Sequence, residues 1–158
     1  MVRTLVIALA AAAIVAAPAQ ASCWKADQVA AAKVRDLETM LMVSALRCRS
    51  SGNMLARYNK FVVRARPALT QVNDTLRSHF AESVGQSRAL NAYDSYVTRV
   101  ANRYGAGADG LSCNDLSSIT DAAASERPSF QALADLAERA GVKPLLDGGR
   151  CAVSVARR

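Results

Sequence analysis

KADQVAAAKVRDLETMLMVSALRC, residues 25–48, decides the fold. Ala26, Ala30, Val34, Leu37, Leu41, Ala45 and Cys48 recur three or four residues apart, the spacing of one face of an α-helix. A strand would alternate instead, and no alternation of useful length occurs anywhere in the chain. The spacing predicts a helix over 25–47 whose stripe ends on Cys48. The cysteine then faces the core, while its neighbours Arg47 and Arg49 look outward.

After a Ser51-Gly52-Asn53 turn, with Asn53 as N-cap, a second stripe runs through Tyr58, Val62, Ala65, Leu69, Val72, Leu76 and Phe80. Its phase carries through Pro67, which predicts one long helix kinked there. A third helix over 87–104 turns Leu90, Tyr93, Val97, Val100 and Tyr104 inward and stops at Gly105. Two shorter helices are expected over 114–124 and 128–140, the latter with Pro128 in its first turn and Gly141 at its end. Lys143-Pro144 and Gly148-Gly149 make the segment from 142 an irregular tail, tied down by Cys151. The fold class is all-α: an up-down helical bundle of about four to five helices, stapled by two disulfides.

The chain opens with Arg3, an apolar run from Leu5 to Ala17, Pro18, and the small-x-small triplet Ala19-Gln20-Ala21. This pattern reads as a signal peptide over 1–21, cleaved after Ala21. The run is too short to cross a bilayer, which takes about 20 apolar residues. A lipid-anchored Cys23 is disfavoured by the polar Gln20 and by the odd number of cysteines it would leave. The mature chain, 22–158, has no further long apolar run, so no transmembrane segment remains and one helical domain is expected, periplasmic or secreted.

Four cysteines in an oxidising compartment are expected to form two bridges. Cys23 and Cys48 bracket the first helix, and 25 residues at about 1.5 Å each hold them roughly 37 Å apart, where a disulfide needs about 7 Å or less. Geometry excludes that pair. An up-down-up order brings Cys48 near Cys113 at one end and leaves Cys23 with Cys151 at the other.

Charge supplies the functional hint. From 25 to 105 there are 13 basic and 6 acidic residues, against 6 and 7 from 106 to the end. Between Glu38 and Asp74 no acidic residue occurs, yet Arg47, Arg49, Arg57, Lys60, Arg64 and Arg66 do. Arg57, Lys60 and Arg64 stand at i, i+3 and i+7 on one helix face. This basic face is the candidate binding surface, and its partners would be an acidic envelope polymer, an anionic lipid surface or an acidic protein. Nucleic acid is a poorer partner for an exported chain whose nearby aromatics, Tyr58 and Phe61, sit at core spacing.

Catalytic and metal chemistry find little footing. His79 is the only histidine, with Glu82 three residues on, and reads as a structural or surface residue at the end of the second helix. No ligand cluster accompanies it, and no C-x-x-C-H is present, so neither a metal nor any other cofactor is expected. A Cys48–His79 dyad fails because the cysteine is expected to be oxidised and a bundle length away. Glu38, Glu82 and Asp94 are the conceivable acids of a small cell-wall hydrolase, without a supporting motif. The apolar run Met40-Leu41-Met42-Val43 reads as a buried helix end or, alternatively, as a patch for a protein partner, as in an inhibitor or chaperone-like adaptor.

RDLETMLMV (35–43), RYNKF (57–61) and ANRYG (101–105) together resemble uncharacterised small exported bacterial proteins with helical folds and four cysteines. The resemblance implies a helical envelope protein and transfers no functional residue. The expected role is that of a non-catalytic binding or structural accessory of the cell envelope.

Overall fold

The computed structural model describes residues 23–125 and 128–152, and its regular structure consists of five helices. These are α1 (Ala26–Arg47), α2 (Met54–Val84), α3 (Gln86–Arg103), α4 (Cys113–Ala123) and α5 (Phe130–Arg139). The class is all-α. The signal-peptide reading of 1–21 and the end of the tail, 153–158, lie outside the described residues. Among those described, no helix is long and apolar enough to cross a membrane.

α1 and α2 each pack against all four of the other helices, and α1 is the more deeply enclosed of the two. It is accordingly buried far beyond the single stripe read from its spacing: Val29, Ala31, Ala32, Val34, Leu37, Met40, Leu41 and Ala45 are covered, together with Gln28, Asp36, Glu38, Thr39 and Ser44. Enclosure of a leucine such as Leu37 stabilises by roughly 1.5–3 kcal/mol. Ala26, by contrast, is exposed, because the first turn of α1 borders an open groove.

α2 runs unbroken through Pro67, whose ring points to solvent. The carbonyl that loses its partner there is that of Val63, also on the exposed side, so water can satisfy it. Phe61, Ala65, Leu69, Val72, Leu76 and Phe80 form the buried line, while Tyr58 and Val62 are only half-buried at its margins. On α3 the inward set is Ala89, Tyr93, Tyr96 and Val100. Leu90 is exposed, contrary to the stripe read from the sequence. Tyr96 takes the inward place because the aromatic cluster of Trp24 and Phe80 receives its ring, at centroid distances of 5.7 and 5.5 Å.

Helix ends differ in detail from expectation. Asn53 occupies the N-cap position of α2 but makes no side-chain cap bond, because Gly52 and Asn53 both adopt positive φ (58° and 60°) to turn the chain. Ser112 caps α4 in a reciprocal box with Asp115, and Ser129 caps α5. Pro128 therefore precedes the cap rather than lying in the first turn, and it is buried.

The tail returns to the start of the chain. Trp24 N–H donates to Gly149 O (2.9 Å), Cys151 N–H donates to Trp24 O (3.0 Å), and the Trp24 indole N–H donates to Asp147 O (2.9 Å). Disulfides join Cys23 to Cys151 and Cys48 to Cys113, with Cα atoms 4.8 and 5.7 Å apart. The two bridges fasten opposite ends of α1, as the length of that helix requires.

Converting Cys48 and Cys113 together to alanine removes a staple across 65 residues of chain. Urea unfolding should then show a loss of about 2–4 kcal/mol, mostly from greater freedom of the unfolded chain. A double variant as stable as the parent would show that this bridge is not a staple.

Candidate functional site

The basic face divides into engaged and free cations. Arg57 forms an ion pair with Asp121 of α4 and donates through Nε to Gly52 O (3.0 Å). Arg47 donates to Gly105 O (2.7 Å). Arg49, Lys60, Arg64 and Arg66 are exposed, and none of them has an ion-pair or hydrogen-bond partner among the described residues. Lys60 and Arg64 share the outward side of α2. Arg66, six residues after Lys60, stands about 120° away around the helix axis, on the flank nearer α3. The ridge is therefore narrower than the sequence spacing implied, with Arg57 partly neutralised and Arg66 to one side.

Exposed ion pairs of the Arg57–Asp121 kind contribute little to stability, about 0–1 kcal/mol, but they do cancel local charge. No acidic residue lies in the first turn of α2, whereas α1 has Asp27 and α4 has Asp115. The positive end of the α2 backbone dipole is thus left to add to the field of Arg49 and Lys60.

Of the acids considered for catalysis, Glu38 and Glu82 are held in ion pairs. Glu38 is buried, accepting from Arg35 Nη1 (2.7 Å) and from the Tyr58 hydroxyl (2.6 Å), which drives the phenol pKa far upward through burial and the adjacent carboxylate. Glu82 pairs with Lys25 (2.8 Å), which pulls its carboxyl below the usual range. Some 20 Å of α1 separates Lys25 from Glu38, so Glu38 and Glu82 do not converge at the spacing of about 5–9.5 Å that two-carboxylate hydrolysis needs. Asp94 is exposed on α3. Of the run from Met40 to Val43, Met40 and Leu41 are buried and Met42 and Val43 half-buried, so the run is a helix end in the core and not a free patch.

His79 is a core residue. Its ring stacks on Trp24 at 3.8 Å between centroids and its Nδ1 lies 3.1 Å from Gln28 Oε1. Burial pushes the imidazole below its ordinary value, with Lys25 adding to the shift and Glu82 opposing it. Among the described residues no group of three or more His, Cys, Asp or Glu side chains is placed to hold a metal ion.

Two features were not read from the sequence. One is a polar network inside the bundle: Asn73 Oδ1 accepts from both Arg35 and Tyr93, while buried Asp36 accepts from Arg103 and from the Tyr104 hydroxyl. The adjacent charges Arg35 and Asp36 within an apolar helix were its only signal. The other is a groove of about 510 Å³ between α1 and α5, with Trp24, Val29 and Ala134 as apolar wall and Arg150 at its rim. The ion pair Lys33–Glu138 (2.7 Å) bridges its two helices.

Two outcomes follow from the buried groups. Because the folded pKa of His79 lies below its unfolded value near 6.5, its contribution to stability is complete above that value and declines as the pH falls below it. The urea midpoint should drop between pH 7 and 5 in the parent, and His79→Phe should remove that part of the slope; equal slopes would contradict a buried neutral imidazole. Arg103→Met strands the Asp36 carboxylate and should cost about 3 kcal/mol, most of it recovered in the double variant with Asp36→Leu. No recovery would mean that the pair does not act as a unit.

The stretches 35–43, 57–61 and 101–105 fall around α1: Arg35, Asp36 and Glu38 lie within it, Tyr58 and Phe61 on α2, and Arg103 and Tyr104 at the end of α3. Their chemistry here is that of packing and burial. No protein-family model, no curated protein and no solved structure matches the chain.

Proposed function

We propose that the protein is an exported, non-catalytic accessory of the cell envelope that associates with a polyanionic envelope component through the α1–α2 turn and the outward side of α2. The reading rests on one observation. Among the exposed cations that have no carboxylate partner among the described residues, Arg49, Lys60, Arg64 and Arg66 lie in a stretch, 39–73, that contains no acidic residue, whereas Arg139, Lys143 and Arg150 lie in one that also holds Asp135, Glu138 and Asp147. Carboxylate or phosphate groups on a partner are the chemistry that complements this surface. The two disulfides fit an oxidising compartment, and the irregular tail, fastened at Cys151, leaves the opposite end of the bundle clear for contact.

Co-sedimentation with isolated envelope fractions tests the reading at two salt concentrations. Raising salt from roughly 0.1 M to 1 M shortens the screening length from about 10 Å to about 3 Å. The protein should pellet at the lower salt, be released at the higher, and pellet less when Lys60→Gln and Arg64→Gln are combined. Protein that stays in solution at both salts would leave the ridge as a solvated helix face and remove the proposal.

A further inference from the structure

Among the described residues, the large apolar side chains exposed to water are Val63 (66%), Leu46 (62%), Leu90 (55%) and Leu55 (48%). Three of them lie within the acid-free stretch of sequence that carries the free cations. Leu46 ends α1 and Leu55 begins α2, on either side of the turn that holds Arg49. Val63 flanks Lys60 and Arg64 on the outward side of α2, about 60° from the lysine and 100° from the arginine around the helix axis. Pro67 follows on the same exposed side and leaves the Val63 carbonyl open.

A soluble acidic chain needs only the charges of such a surface. Aliphatic side chains interleaved with lysine and arginine fit a headgroup layer, where cations meet phosphate and the aliphatic groups enter the boundary with the acyl chains. With no helix among the described residues able to span, such contact is peripheral. Resting on the polyanion reading above, we infer that the tip of the α1–α2 hairpin docks on an anionic lipid surface, Leu46, Leu55 and Val63 dipping into the headgroup layer while Arg49, Lys60, Arg64 and Arg66 contact lipid phosphates. Asp121, the carboxylate that reaches this face of α2, is already paired with Arg57.

The full chain is sedimented with vesicles of phosphatidylglycerol and phosphatidylcholine, with vesicles of phosphatidylcholine alone, and titrated with soluble polyglutamate. Binding is expected to the anionic vesicles only. Each basic residue near an anionic surface is worth about fivefold in partitioning, so Lys60→Gln with Arg64→Gln should weaken binding about 25-fold. The triple variant Leu46→Ser, Leu55→Ser, Val63→Ser changes only exposed positions and should weaken vesicle binding at least tenfold with its melting curve unchanged. Binding to polyglutamate as tight as to vesicles, with the triple variant unaffected, overturns the lipid inference while the polyanion reading stands. Binding to neither polyglutamate nor anionic vesicles overturns both. Equal binding to neutral vesicles overturns the role given to the phosphates.

Discussion

The enclosure of α1 governs this molecule. A helix covered by four others has few positions where a charged side chain can reach water, yet α1 carries Lys33, Arg35, Asp36 and Glu38 within two turns. An isolated charge in such a setting is costly, so each is matched: Lys33 to Glu138 of α5, Asp36 to Arg103 and Tyr104 at the end of α3, Arg35 to Asn73 of α2 and to Glu38 within α1, and Glu38 also to Tyr58 of α2. These pairings act as register marks. Because Asn73 also accepts from Tyr93, one amide oxygen holds α1, α2 and α3 at a common level. Apolar packing alone tolerates sliding by a turn; a buried guanidinium with specific acceptors does not.

The two ends of α1 are secured by different means. At its start, Trp24 is enclosed by His79, Phe80 and Tyr96, bonded through its indole to Asp147, and flanked by the Cys23–Cys151 bridge. The tail is held by that tryptophan as much as by the disulfide, since the backbone of Trp24 bonds to both Gly149 and Cys151. At the other end, among the described residues, the aromatic contact is the single pair Tyr58–Phe61. Cys48–Cys113 and the bond from Arg47 to Gly105 tie the hairpin to the loop after α3, leaving Leu46 and Leu55 in water. One end is therefore packed for closure and the other is left open.

Periodicity made the helices legible because a 3.6-residue repeat reports which side of a helix is covered. It failed where coverage is not one-sided. The single stripe assigned to 25–48 understated α1, whose polar residues are buried too, and nothing in a hydrophobic pattern marks a charge that is buried with a partner 67 residues distant, as Asp36 is with Arg103. Leu90 was misplaced because two phases, 89-93-96-100 and 90-93-97-100, fit α3 almost equally, and only the aromatic cluster around Trp24 chooses between them. Disulfide pairing was readable, since helix length excluded one partner outright. The basic face was legible as a charge count and less so as a surface, because Asp121, which captures Arg57, belongs to a helix far along the chain.

That capture leaves a basic surface near the end of α1, where carboxylates are few. Near the start of α1, Lys25 and Lys33 meet Glu82 and Glu138, carboxylates supplied by the last turns of α2 and α5. Near the end of α1 the chain runs from residue 39 to 73 without a carboxylate, and the up-down order lays the halves of this stretch against each other. Neutralisation must then come from α3, α4 or the loop between them. Asp121 reaches Arg57, and Asp115 is engaged with Ser112 at the cap of α4. Arg49, Lys60 and Arg64 stay uncompensated because the topology places no acidic helix end beside them. The positive field at this tip is thus a product of its exposed lysine and arginine side chains and of which helix ends the fold brings together, and it falls when those side chains are neutralised even though the order of the helices is intact.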